Sequence, residues 1–133
     1  MPTLQETFNA DLEDCIENCL ECHRLCLETI EHCLRTGGKH VDAAHVRLLS
    51  DCAQICQTSA DFMMRGSDLH AETCAACAEI CARCADSCAA LASDDDQMQD
   101  CGDVCARCAE SCDRLARGGD SSRESAGVDQ SRE

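Results

Sequence analysis

The sequence has no tryptophan, no tyrosine and only two phenylalanines, Phe8 and Phe62. A core built on large aromatic side chains is therefore excluded. Interior volume must come from Leu, Ile, Val, Ala and whatever else is abundant. Proline is nearly missing too: Pro2 is the only one, so nothing interrupts a long helix. No stretch is long and apolar enough to span a bilayer. No alternating apolar and polar run reads as a strand. Positive charge is scarce, with 11 basic against 26 acidic residues and a net charge of −15. That balance argues against nucleic acid and anionic membranes as partners. It fits a solvated acidic surface, or one that draws in cations. Residues 2–15 are acidic and carry no apolar run, so no secretory leader is expected and a cytoplasmic location follows. There is no nucleophile–base pair and no phosphate-binding loop, and no enzymatic activity is expected.

Cysteine is what the chain has instead. There are 16 among 133 residues, roughly 12%, above the level that marks a disulfide or metal scaffold. They recur in a frame, C-x3-C-x2-C-x3-C. It occurs as Cys15, Cys19, Cys22 and Cys26, again as Cys77, Cys81, Cys84 and Cys88, and again as Cys101, Cys105, Cys108 and Cys112. Cys74 extends the second copy, Cys33 follows the first, and Cys52 and Cys56 form half a frame between them. Steps of four and three keep side chains on one face of an α-helix.

That spacing predicts four helices, over about 4–35, 41–65, 69–92 and 95–117. Thr3 and Glu6 fit a capping box at the first, and Gly37-Gly38 ends it. Gly66 closes the second, and Ser67 or Asp68 is expected to cap the third. Ser93-Asp94-Asp95-Asp96 is linker and cap for the fourth, with its charges favourable at a helix start. The expected fold class is all-α, an up-down-up-down four-helix bundle over residues 1–117. All cysteine stripes face one axis, and the stripe from Cys15 to Cys33 is about 27 Å long. The tail, 118–133, is Gly, Ser and charge and is expected to be disordered.

A second stripe on the first helix, Ile16, Leu20, His23, Leu27, Ile30 and Leu34, lies about 100° round. Val41, Leu48, Ile55 and Phe62 recur every seventh residue on the second helix. These lines suit packing against another subunit. At the bundle ends, Met98 and His45 are candidate soft ligands near Cys33 and His40. Met63, His70, Phe8 and Leu12 at the other end read as a hydrophobic plug. His23 and His32 fall off the stripe as structural or exposed residues, and Met64 faces outward.

Cysteine can serve as a small buried hydrophobe, but leucine would pack better and resist oxidation. Disulfides are opposed by a reducing compartment and by stripe neighbours that sit on one rigid helix. Metal remains, and soft thiolates select Cu(I), Zn(II) or an iron–sulfur cluster. Zn(II) on four thiolates leaves a net −2, so four such sites would bury −8, at high cost. Cu(I) replacing a thiol proton changes no charge, and about one per cysteine leaves the tube neutral. Iron–sulfur clusters need four cysteines around one volume, commonly on loops, and sixteen are too many for one or two. A Zn(II) protein, an iron–sulfur electron carrier and a thiol redox buffer are the alternatives.

These repeated frames, with the half-frame and the loop positions, resemble the bacterial copper storage proteins, over about residues 4–117. The expected absence of a leader is similar to their cytosolic branch. The resemblance implies a cysteine-lined four-helix bundle that holds many Cu(I) ions and assembles as a tetramer. The ligands expected here are all sixteen cysteines, with copper handed over by a carrier thiol. In that branch histidines precede the first cysteine of the last helix. Here the segment is Asp96-Gln97-Met98-Gln99-Asp100, which leaves Met98 and His45 as the substitutes.

Overall fold

A computed structural model describes residues 1–126, with side chains through Gly118. It contains four long helices: α1 (Leu4–Thr36), α2 (Ala43–Met64), α3 (His70–Ala92) and α4 (Asp96–Ala126). No strand occurs among the described residues. Packing follows a closed ring. α1 lies against α2 and α4, and α3 against α2 and α4, the α3–α4 pairing being the most extensive. Short connections make sequence neighbours antiparallel, which gives the expected up-down-up-down bundle.

Local chemistry explains the boundaries. Thr3 Oγ1 accepts from the Glu6 amide (3.0 Å), and the Thr3 amide donates to Glu6 Oε1 (2.9 Å). This is the reciprocal box the first residues predict. At the far end Gly37 and Gly38 have φ of +76° and +62°, a region open to glycine at little cost. They lead into a 3-10 turn, Gly38–Val41, so α2 starts at Ala43 rather than Val41. Asp42 caps it, accepting from the His45 amide at 3.2 Å.

Two expectations need revision. Neither Ser67 nor Asp68 caps α3: Leu69 is the N-cap residue and makes no side-chain cap bond. Ser67 Oγ accepts instead from the Leu69 amide (3.0 Å), which folds the turn ahead of the helix. Secondly, α4 does not stop at Arg117. Gly118 does not adopt the left-handed conformation that ends a helix, and the helix runs to Ala126. Once a helix is nucleated by packed turns, each added residue gains one hydrogen bond, so a glycine lowers helicity without abolishing it. The part of the expected tail from 127 to 133 lies outside the described residues.

The core is narrow and mostly sulfur. All sixteen cysteines have zero exposure. Leu49, Met98, Leu115 and His45 are the bulkiest fully enclosed side chains beside them. Close approach of α3 and α4 depends on small residues. A Cβ at Gly102 would come within 3.3 Å of Cys88 Cβ.

The second stripe of α1 is half-bare in the single chain. Leu20, Leu27 and Leu34 are 37%, 48% and 59% exposed, while Ile16 and Ile30 pack partly against the core.

Candidate metal centre

Each helix contributes one edge of thiols to the axis: Cys15, Cys19, Cys22, Cys26 and Cys33 from α1; Cys52 and Cys56 from α2. Cys74, Cys77, Cys81, Cys84 and Cys88 come from α3; Cys101, Cys105, Cys108 and Cys112 from α4. All are free thiols. The sulfurs touch across helices. Cys15 and Cys19 each lie 3.5 Å from Cys112. Cys52–Cys81 and Cys56–Cys81 are also 3.5 Å. Cys22 is 3.7 Å from both Cys52 and Cys105, and Cys26 is 3.9 Å from Cys101. With a metal–sulfur bond of about 2.3 Å, two sulfurs on one ion sit about 3.8 Å apart in a tetrahedron and about 4.6 Å apart when opposed. The thiols therefore stand close to ligand spacing already.

Four quartets of sulfurs lie within 4.8 Å of one another: Cys19/Cys77/Cys108/Cys112, Cys22/Cys52/Cys56/Cys81, Cys22/Cys26/Cys52/Cys105 and Cys56/Cys77/Cys81/Cys108. Cys15, Cys74 and Cys112 form a trio. Each quartet draws on three helices and omits a different fourth. The quartets also overlap: Cys22, Cys52, Cys56, Cys77, Cys81 and Cys108 each belong to two. One sulfur cannot serve as a terminal ligand to two closed tetrahedral sites at once. It can bridge ions of low coordination number.

Proton affinities follow from this crowding. A thiolate on Cys19 is favoured first by the hydrogen bond from Cys108, then by that from Cys112, which lowers its pKa. Cys56 shifts up through its contact with Cys108. Cys33 stands apart at one end, where burial and then the charge of Asp95 push its thiol up to about 11. Neutral thiols are the cheap form in an interior with no cation.

The two ends carry other donors. Near Cys33, Met98 is fully buried. His45 Nδ1 contacts Ser87 Oγ at 2.7 Å, and its Nε2 is buried with no hydrogen-bond partner. Burial lowers the His45 pKa, with Cys84 and Cys101 among the groups acting on it, so its ring is neutral and its free nitrogen available. At the opposite end the Cys74 thiol lies 3.8 Å from Met63 Sδ and 3.4 Å from Ser59 Oγ. His70 Nδ1 bonds the Ser67 carbonyl (3.0 Å), leaving a buried Nε2 without a partner. The Phe8 ring lies beside it, with centroids 6.0 Å apart. This end is more polar than a hydrophobic plug: it has an imidazole, a thioether and a hydroxyl next to Cys74. Met64 is 53% exposed, as expected. His23 is anchored through Nδ1 to the Ala53 carbonyl (2.7 Å).

Sequence reasoning missed the surroundings of His32. Its Nε2 lies 2.7 Å from Asp95 Oδ2, 63 residues further along the chain. Only the antiparallel return of α4 brings them together, and no local pattern signals it.

Comparison with known proteins agrees with this geometry. The family model described as Csp, copper storage protein, matches residues 8–117. The Nmul_A1745 protein of Nitrosospira multiformis is 46% identical, with a TM-score of 0.77 over 82% of this chain and 97% of its own. The Cu(I)-bound copper storage protein BsCsp3 is 35% identical, with a TM-score of 0.74 over 80% of this chain and 98% of its own. A cytosolic copper storage protein from Streptomyces lividans, seen loaded with five coppers, is 28% identical, with a TM-score of 0.76 over 84% and 97%. An uncharacterized cysteine-rich protein, YhjQ of Bacillus subtilis, is 36% identical over 66 residues, half of this chain; the match spans 61% of that relative. With a match over most of its length and sixteen thiols in a four-helix core, the chain belongs to the copper storage protein family.

Proposed function

We propose that this protein stores and sequesters Cu(I), with all sixteen cysteines as ligands and about one ion per cysteine. The observation that carries the reading is the overlap of the thiol quartets. Four-thiolate sites for a divalent ion would compete for the same sulfurs and bury net negative charge. A monovalent ion held by two or three sulfurs lets each cysteine serve two neighbours. One proton leaves for each ion bound, and the column stays neutral.

The mechanism is ligand exchange. A carrier thiol presents Cu(I) at the end near Cys33. His45 Nε2 and Met98 supply neutral soft donors there. The ion then moves from pair to pair, since sulfurs 3.5–4.0 Å apart hand it on without a long jump. Bound ions cross-link helices, which keeps them from redox chemistry in solution. The Cu(I)-bound relatives support this reading, and the Streptomyces lividans protein supports a cytoplasmic location. No helix among the described residues is long and apolar enough to cross a membrane. The role is storage without catalysis. The bare Leu20, Leu27 and Leu34 suit a homo-oligomer, a tetramer by analogy with the family, that covers them.

Competition between metals tests the proposal. Reduced protein is given Cu(I) and Zn(II) together under anaerobic conditions. Cu(I) is expected to displace bound Zn(II) completely. Retention of Zn(II) at equal thiol occupancy, or iron and sulfide in the purified protein, would overturn it.

A further inference from the structure

At the end near Cys33 a second donor set stands outside the thiol column. It draws on three separate elements: His32 from the last turns of α1, His40 from the 3-10 turn, and Asp95 just ahead of α4. Asp95 is fixed by its cap role, because the Met98 amide donates to Oδ1 at 2.9 Å. Its other oxygen, Oδ2, faces two imidazoles. His32 Nε2 lies 2.7 Å from it and His40 Nε2 3.9 Å from it. The two rings meet nearly edge-on, with centroids 5.9 Å apart. The carboxyl is held below its ordinary range, first by His32 and then by the Met98 amide. It is therefore ionised and can act as a ligand.

The distances suit a shared ion. At 3.9 Å the His40 contact is too long for a hydrogen bond. With metal–nitrogen and metal–oxygen bonds of about 2.0–2.2 Å, ligand atoms on a tetrahedral ion lie about 3.4 Å apart. The His32 contact must open by about 0.7 Å and the His40 contact close by about 0.5 Å, at side chains only 16–30% exposed. His40 Nδ1 is buried and unpartnered, so no competing bond holds that ring in place. A cleft of about 310 Å³, lined in part by His40, Asp95, Lys39 and Ser93, opens beside two of the donors. It gives an ion a path in and leaves room for a water on the fourth position.

We propose that His32, His40 and Asp95 form a site for a borderline divalent ion of the Zn(II) class, separate from the thiol column and set at its mouth. Two imidazoles and a carboxylate are the donor chemistry such ions accept, while Cu(I) prefers sulfur. Because thiolates outbid this set for Zn(II), it fills only once the thiols are already occupied, by Cu(I) or by excess Zn(II). An ion there ties the end of α1 and the α1–α2 connection to the start of α4. It braces the mouth of the filled tube.

The test uses the full chain loaded with Cu(I), with bound copper measured first. Co(II) is then added as a spectroscopic stand-in for Zn(II). One Co(II) per chain is expected, with ligand-field bands and no thiolate-to-metal charge transfer. His32→Gln and Asp95→Asn should each weaken binding at least about tenfold and leave copper per chain unchanged. Asparagine still caps a helix, so Asp95→Asn removes the ligand and keeps the fold. Equal Co(II) affinity in all three proteins, or charge-transfer bands from sulfur, contradicts the site. Imidazole ¹⁵N shifts give a second reading that does not depend on copper uptake. Excess Zn(II) should move His32 and His40 together. Shifts confined to other histidines, or none, overturn the proposal even if copper loading itself fails.

Discussion

The middle of the tube and its mouth are built from different chemistry. Around Cys22, Cys52, Cys56, Cys81 and Cys105 every donor is a thiol, and sulfurs belong to more than one quartet. Around Cys33 the donors are mixed, with His45, His40, His32, Asp95 and Met98 at the same end as the thiols of Cys84 and Cys101, and Cys33 itself is held protonated up to about pH 11. Redundancy in the middle favours capacity: any one sulfur can be replaced by a neighbour. The other end has donors with distinct partners. On the proposed reading, the same bundle separates how much metal is held from how metal is admitted.

The largest expected effect lies in the middle. Ions that cross-link three helices bind only the folded chain, so each site filled at 1,000 times its Kd adds about 4 kcal/mol. Full Cu(I) loading should raise Tm by tens of degrees, read by calorimetry on reduced protein. A shift of only a few degrees would place the ions outside the core.

Next comes redundancy itself. Cys56→Ser removes a sulfur shared by two quartets. Bridged, interchangeable sites predict a loss of about one ion per chain, counted by metal analysis at saturation. Since one sulfur can serve only one closed tetrahedral site, independent closed sites predict the loss of one site in four, about a quarter of the bound metal, and that outcome would erase the contrast between middle and mouth.

A smaller and kinetic effect is expected at the mouth. His45→Phe and Met98→Leu should slow Cu(I) uptake from a thiol carrier by about tenfold, equivalent to about 1.4 kcal/mol on the barrier, with capacity unchanged. Stopped-flow uptake against end-point copper separates the two. If capacity falls and the rate does not, these residues are storage ligands and not an access route.

The smallest effect is a pH dependence of the apo protein. Cys33 is pushed up to about 11 from an ordinary 9.0. Folding thus favours its neutral form. That contribution is complete below pH 9 and is lost as pH rises through 11. Urea melts of apo protein should show stability falling across that window, and Cys33→Ala should flatten the fall.

Much of this was legible in the sequence, for a physical reason. The C-x3-C-x2-C-x3-C frame has the period of a helix face, and buried sulfur has little alternative once aromatic residues are absent. Thr3 with Glu6, and Gly37 with Gly38, set local boundaries through bonds within a few residues. What the sequence did not disclose depends on contacts between helices. The pairing of His32 with Asp95, of His45 with Ser87 and of Cys74 with Met63 joins residues far apart or on different elements. The overlap of the quartets depends on axial stagger, which no spacing within one helix encodes. The start of α3 differs from the expected one because the Ser67 hydroxyl accepts from the Leu69 amide and serves the turn instead of the helix. The end of α4 differs from the expected one because Gly118 lowers helicity without ending the helix.

The central claim is that overlapping thiols hold a monovalent ion at about one per cysteine. Anaerobic titration of fully reduced protein with Cu(I), against a chromophoric competitor and with copper measured at saturation, tests it most directly. The account predicts tight uptake that continues to roughly one ion for each of the 16 thiols, without a plateau earlier. Saturation near four ions per chain would contradict it, because only closed four-thiolate sites stop there.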